Sequence, residues 1–471
     1  MLLLYFIFAI LIVSGILLIR RRRVVEIFTL LFLSAQISLV FYAFYHHGAT
    51  DLAYFNYDAL GLIFLSVLTI ISITTVYHGF ANLGGDTTRR YQNYHAALCV
   101  LIAAISGATL ANNITVVWVF VEATTLAVSV LIYHERNKLT LEATWKYIFV
   151  CSTGIALAYM GILFLSITFR GGASFDLSFN GMARLVTSAN PLYLKVAFLF
   201  VLVGYSTKME LFPMHTVGID ANSVAPPQIG AFISTAMVNL GFVAIFRVYK
   251  VLANTSVAYW MSNVLILVGL LSIIVSAGYM LKAKHNKRML AYSTVENMGI
   301  VAIAIGAGGI GYYAAILHLI LHSFTKASLF YQVGQVYKFL KTYRLEESGR
   351  YLQMNPAGAV VLLIGMFAIL AIPPSGMFIS EWMTFKALVA SGRWITFGIM
   401  VLFLSFVIYA LATRFFHLLY SEPVKEFPIP VEKGASPVET VTQYLLLGFV
   451  IFICFYQPHF LVDLIREAAG F

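Results

Sequence analysis

VAYWMSNVLILVGLLSIIVSAGYML, residues 257–281, carries no charged side chain and ends on a cluster of cations, Lys282, Lys284, Lys287 and Arg288. A helix of that length reaches past the roughly 30 Å hydrocarbon core of a bilayer, since each residue advances it by about 1.5 Å. Inside lipid no water satisfies the backbone, so a spanning segment is either a helix or a strand of a closed barrel. Barrel strands alternate over about ten residues, whereas this run is continuous, so it reads as a helix.

Working outward from it, the same pattern recurs at 1–19, 24–45, 57–81, 92–111, 113–134, 141–168, 193–215, 225–250, 289–307, 311–338, 355–389, 395–418 and 438–457. The expected fold is an all-α integral membrane protein of fourteen transmembrane helices, forming a single polytopic domain over 1–471. Hydrophobic residues make up 61% of the chain and charged ones 11%, against about 25% charged in soluble domains. The net charge of +10 is not a nucleic-acid footprint, because the cations lie in short loops between apolar runs. Cys99, Cys151 and Cys454 all fall inside apolar stretches, with no spacing suited to a metal or a disulfide framework. No phosphate-binding loop, dinucleotide fingerprint or haem ligand set is present, so no cofactor and no metal are expected. Partners are expected in the lipid bilayer and in other subunits, not in nucleic acid.

The first span superficially resembles a signal peptide. It lacks a basic start and is followed by Arg20–Arg23, which favours a retained helix with its N-terminus outside. In that orientation the inner loops hold Arg20–Arg23, Arg89, Arg90, Arg136, Lys138, the 282–288 cluster, Lys338, Lys341, Arg344, Arg350, Lys425 and Lys433. Arg170, Arg184 and Arg393 lie outside. Such a bias fits a cell inner membrane protein with both termini on the outer face.

Glu122 in VWVFVEATTL and Glu296 in AYSTVENMGI are separated by 296 − 122 = 174 residues, and Lys208 and Glu381 by 381 − 208 = 173. The paired offsets suggest two five-helix units, spans 4–8 (about 92–250) and 9–13 (about 257–418). Because five is odd, the second copy would insert upside down, as in transporters with inverted repeats and broken helices. Spans 7 and 12 are expected to be broken, at Pro213 and at the AIPPSG stretch before Glu381.

An ionisable group deep in a span costs about 2.5–3.5 kcal/mol on insertion scales, which marks a functional candidate. Glu122 is the cleanest case; the bland alternative is a hydrogen-bonded carboxyl bracing Thr124 or Thr125. Lys208 reads as one half of a switchable pair with Glu122, or as a lysine snorkelling to the interface. Glu210, His215 and Asp220 follow, Glu210 as a second partner for Lys208 and the other two in a short connection. His318, His322 and Lys326, each four apart, line one stripe of span 11, as a proton wire requires. A metal at these histidines would want a third ligand that the sequence does not offer. Glu381 follows a helix break whose freed carbonyls can host water. Lys146, Asn239, Glu296 and Arg414 are accessory candidates: Lys146 as a second partner for Glu122 or a snorkelling residue, and Glu296 as a relay group or an interface anchor.

The stretches VEATTL, LEATWKYIFVCSTGIALAYMG, TKMELFPMHT, NKRMLAYSTVENMG and LHSFTKASLF resemble the antiporter-like subunits shared by respiratory complex I, Mrp-type sodium/proton antiporters and membrane-bound hydrogenases. Within that family they are most similar to the F-type subunits of hydrogenase-4 in formate hydrogenlyase-like complexes. The resemblance implies a proton-translocating membrane subunit without a redox centre of its own, joined to other membrane subunits and to a hydrogenase-like or complex I-like redox module on the cytoplasmic side. It places the family's glutamate on Glu122, its lysine on Lys208, its histidine and lysine on His322 and Lys326, and its span-twelve charge on Glu381. Asn239 stands where many relatives have lysine or histidine, and Glu210 where a glycine is common. The segment 217–226 reads VGIDANSVAP, without the Trp, Pro, His and Glu usual in the family. Two rivals stand beside this reading: a self-contained or Mrp-like Na⁺/H⁺ antiporter subunit, and a structural subunit that has lost conduction.

Overall fold

The computed structural model describes residues 1–168, 176–186, 189–422 and 437–470. Arg170, Lys425 and Lys433, used above for orientation, lie outside the described residues. The chain is helical almost throughout: α1 (Leu2–Leu18), α2 (Arg22–Tyr45), α3 (Ala59–Asn82), α4 (Thr88–Leu110), α5 (Ile114–Ile132), α6 (Lys138–Thr168), α7 (Phe179–Leu185), α8 (Pro191–Met209), α9 (Thr216–Val224), α10 (Pro227–Phe232) and α11 (Val238–Leu252). It continues with α12 (Ala258–Leu281), α13 (Asn286–Ala307), α14 (Ile310–Leu340), α15 (Tyr351–Met354), α16 (Pro356–Ile369), α17 (Gly376–Ala390), α18 (Trp394–Tyr420), α19 (Pro437–Phe455) and α20 (His459–Ala469). One antiparallel ribbon, β1 (Thr50–Asp51) with β2 (Phe55–Asn56), links α2 to α3.

Among the described residues eleven helices are long and apolar enough to cross a membrane, with α1 and α16 shorter apolar helices beside them. The chain is a multi-pass membrane protein. It divides into two compact units, one of residues 1–217, 236–264 and 464–471 and the other of 218–235 and 265–463. Residues 218–235, which fall within the first repeat by sequence, thus pack with the second unit.

In unit 1 the tightest seam joins α6 to α8. Gly154 and Gly204 make it possible: a Cβ at Gly204 would sit 2.6 Å from the Gly154 carbonyl oxygen, so only small residues let the backbones meet. In unit 2 Ile273, Ile300, Ile303, Leu388, Met400 and Leu404 form an apolar core. There α13 is buried from Met289 to Gly306.

Two breaks end helices in the same way. Helix α8 stops at Met209; Glu210 is left-handed (φ 57°) and the Leu211 amide closes on the Ser206 carbonyl at 3.2 Å. Helix α16 stops before Ala371, also left-handed (φ 51°), with the Ile372 amide on the Phe367 carbonyl at 2.9 Å. Both are Schellman closures, and both precede prolines that cannot continue a helix. The sequence expectation of one interrupted span over 193–215 becomes α8 followed by a separate helix, α9, which carries Asp220; that residue is helical rather than part of a loop. The charges do not share the register of the breaks. Lys208 lies before its break and Glu381 after, and 371 − 210 = 161 rather than 173. Helix α20 had no counterpart in the sequence reading.

Candidate ion-translocation sites

In unit 1, Lys208 on the last turn of α8 is 2% exposed. Its ammonium donates to Thr125 Oγ1 on α5 at 2.9 Å and to the Tyr147 hydroxyl on α6 at 3.1 Å, and lies 5.0 Å from the Tyr147 ring centre. The charge therefore rests on two neutral hydroxyls and an aromatic face, not on a carboxylate. Glu122, one turn before Thr125 on α5, accepts from Ser152 of α6 at 3.3 Å and acts on Lys208 through its field. Tyr147 and Ser152 were missed by the sequence reading, which had Thr125 only as a brace for Glu122, yet a signal for Tyr147 was there. Thr140, Thr144, Tyr147, Cys151 and Gly154 recur at helical spacing and form the buried face of α6, and Lys146 is out of step with them. Lys146 is 54% exposed and pairs with Glu142 at 2.6 Å.

Glu210 is buried at the left-handed position that ends α8. This geometry explains why a glycine would suit the position: a side chain there costs about 1–2 kcal/mol that glycine avoids. His215 is buried and its ring stacks on Phe212 at 5.9 Å. Asn239 is buried on α11, just past a π-helical turn over Ile233–Met237. Such turns recur at functional sites.

In unit 2 the arrangement is a chain of named bonds. Glu296 on α13, 2% exposed, accepts from the Asn297 amide at 2.6 Å, whose second hydrogen goes to the Ser293 carbonyl, also at 2.6 Å. With both amide hydrogens spent, Asn297 Oδ1 can only accept, so His318 Nε2 at 2.9 Å carries the proton. His318 Nδ1 lies 3.0 Å from Ser380 Oγ of α17, whose hydroxyl also donates to the Met377 carbonyl at 2.8 Å. One turn along α14, His322 is fully buried and neither ring nitrogen has a protein partner among the described residues. Its ring is 6.4 Å from that of His318. One turn further, Lys326 donates to the Leu290 carbonyl at 2.5 Å and to Ser293. Glu296 and Glu381 line a single cavity of about 240 Å³, and Glu296 feels the charges of both Glu381 and Lys326. Glu296 is thus placed in the buried interior with Asn297 as its bridge. Arg414 of α18 donates to the Leu281 carbonyl at the end of α12 (3.3 Å), away from this cavity. Among the described residues no cluster of three or more His, Cys, Asp or Glu is arranged to hold a metal.

A family profile described as NADH:quinone oxidoreductase/Mrp antiporter, transmembrane, matches residues 111–408. The chain belongs to this family. It is 30% identical over 346 residues to a hydrogenase-4 component F homolog of Methylacidiphilum infernorum, covering 71% of this chain and 72% of that one. It is 27% identical over 354 residues to hydrogenase-4 component B of Escherichia coli, covering 71% of this chain and 51% of that protein. Among solved structures, a chain of the archaeal membrane-bound sulfane sulfur reductase superposes with a TM-score of 0.86 at 21% identity, over 100% of this chain and 97% of that one. A chain of the Mrp complex from Dietzia superposes at 0.84 and 17% identity, over 100% and 96% respectively. As a family member this is an antiporter-like membrane subunit of the complex I, Mrp and hydrogenase type.

Proposed function

We propose that the chain moves protons across the cell inner membrane as part of a redox-driven complex whose hydrogenase-like or complex I-like module sits on the cytoplasmic side. The observation that carries the reading is that each unit encloses its own buried lysine with a glutamate in electrostatic reach: Lys208 with Glu122, and Lys326 with Glu296. Buried ions beside hydroxyls and imidazoles suit proton transfer through those groups and water. The similarity to a hydrogenase-4 component F homolog favours a redox partner.

The fuller reading has fourteen spans with both termini outside and inverted repeats over spans 4–8 and 9–13. One further offset supports the repeat. Ser152, which bonds Glu122, lies 152 − 122 = 30 residues beyond it, and Lys326, in reach of Glu296, lies 326 − 296 = 30 beyond that. The decisive experiment is to purify the complex with its partner subunits, reconstitute it in vesicles and follow driven proton uptake. Lys208→Met and Lys326→Met should each abolish uptake while electron transfer to an artificial acceptor persists; undiminished uptake in both would overturn the reading.

The cavity of Glu296 and Glu381 favours a second reading, exchange of Na⁺. Pro373 and Pro374 lack N–H groups, so the carbonyls of Ile369 and Leu370, which line the same cavity, lose their helical donors. Two carboxyls and freed carbonyls form a ligand set for a hard cation. Driven uptake that requires Na⁺, and does so less in Glu381→Gln, would favour this reading.

A further inference from the structure

Unit 1 holds a second string of buried polar groups that the Glu122–Lys208 site does not use. At one end is a cavity of about 140 Å³ lined by Arg90, Tyr94, His134 and Arg136. His134 Nε2 lies 2.8 Å from Asp86, and Arg90 donates to the His134 carbonyl at 2.8 Å. The Tyr94 ring contacts both His134 (5.3 Å) and His95 (5.1 Å). His95 is fully buried and neither of its ring nitrogens has a protein partner among the described residues.

Helix α3 takes up the string. Gly79 packs against Tyr94 and His95, and from its neighbour His78 the residues Thr75, Ser72 and Thr69 follow at intervals of three, all buried. Each step advances about 4.5 Å along the axis and turns about 60° around it, and Ser72 and Thr69 donate to the Leu68 and Leu65 carbonyls of their own helix, so a proton passing between successive groups needs water between them. Thr69 accepts from Gln36 of α2 at 3.0 Å, and Gln36 also bonds Ser106 of α4 at 3.1 Å. One turn beyond Ser106, the Thr109 carbonyl accepts from Arg247 at 2.9 Å, and Arg247 pairs with Asp58 at 2.7 Å. That ion pair lines a second cavity, of about 310 Å³.

Polar contacts that merely join helices need one or two hydroxyls. This string follows α3 from His78 to Thr69 and crosses to α2 and α4, has a cavity at each end and includes an imidazole whose two nitrogens are buried without a protein partner among the described residues, a costly arrangement for packing alone. We propose that it is a second proton route, confined to unit 1, separate from Glu122 and Lys208, and held shut by the Arg247–Asp58 pair. The proposal rests on the reading of the chain as a proton translocator. His95 takes a proton on one ring nitrogen and releases one from the other, each hydroxyl loses one O–H bond as it gains another, and water carries the proton past the Gln36 amide and the Thr109 carbonyl, so no net bond is made. The Arg247 guanidinium bars the far end because a fixed cation repels an arriving proton.

The test uses the purified complex in vesicles, with an imposed pH gradient and no electron donor, so its outcome does not depend on whether the Glu122–Lys208 site pumps. Arg247→Gln should raise passive proton leak about tenfold or more, the change a barrier lower by ~1.4 kcal/mol produces. Arg247→Lys should stay tight, and Ser72→Val added to Arg247→Gln should remove the leak. Arg247→Gln vesicles as tight as the unsubstituted complex, or a leak that Ser72→Val leaves unchanged, would overturn the route. Should Arg247→Gln not assemble, imidazole C2–H exchange in the unsubstituted complex decides. Exchange at His95 within the time taken by exposed His47 supports the route, and a His95 that stays unexchanged refutes it.

Discussion

Lys208 makes the sharpest case at the scale of single residues. Its ammonium is buried on two hydroxyls, and hydrogen bonds to charged groups are worth about 1.5–3 kcal/mol each, so Tyr147→Phe or Thr125→Val should lower the thermal stability of the complex by an amount in that range. The same variants should slow driven proton uptake, because they leave the ammonium half-supported; unchanged uptake would make the hydroxyls mere packing. Glu122 touches Lys208 only through its field, so Glu122→Gln should leave Lys208 in place while impairing uptake. The double variant Glu122→Gln/Lys208→Met should be no worse than the poorer single one, and multiplicative losses would mean separate sites. In unit 2, Asn297→Leu removes the bridge between Glu296 and His318. It should cut uptake about as severely as His318→Phe does, read in the same vesicle assay. Glu122, Lys208, His318, His322, Lys326 and Glu381 were all legible as charges out of place in apolar runs. Asn297 and Tyr147 were not, because a neutral polar residue in a span gives no sign of which ion it will meet.

At the scale of elements, close backbone approach and loop charge give separate tests. Gly204→Val would set its Cβ 2.6 Å from both the Gly154 carbonyl oxygen and the Ala158 Cβ and part α8 from α6, at a cost of about 1–3 kcal/mol. Gly278→Ala, with open space around it, is the neutral comparison in the same melting experiment. The hairpin before α13 is tied by the Asn286 amide to the Tyr343 carbonyl (2.9 Å) and the Leu345 amide to the Lys284 carbonyl (3.0 Å). His285 sits between them, and burial, with Lys287, Arg288 and Arg344 adding their charge, pushes its pKa from 6.5 down to about 4. The folded hairpin therefore keeps His285 neutral where the opened one would bind a proton. Its stability is full above about pH 6.5 and falls as pH drops towards 4. The protection factors of the Asn286 and Leu345 amides, taken against their free-peptide rates at each pH, should fall over that window in the native protein and not in His285→Phe.

For the whole molecule, the topology is the claim most open to direct measurement. Single cysteines at exposed Arg23, Lys284 and Lys341 should react with an impermeant reagent only from the cytoplasmic side, and one at Arg184 only from the other. Reaction of Lys284→Cys and Arg184→Cys from the same side would remove the fourteen-span reading and the inverted repeat together.

The sequence by itself determined that the chain is helical, lies in a membrane and belongs to this family, because lipid leaves a long apolar run only one way to satisfy its backbone. It also marked the costly charges, since burying an ion leaves a residue type that chance would not place there. Only the tertiary structure decided what those charges touch. Lys208 meets hydroxyls on α5 and α6, Glu296 shares a cavity with Glu381, and residues 218–235 pack with the second unit. These depend on how helices distant in sequence rotate and pack against one another. A helix face that meets protein and one that meets lipid are both apolar, so hydropathy cannot tell them apart.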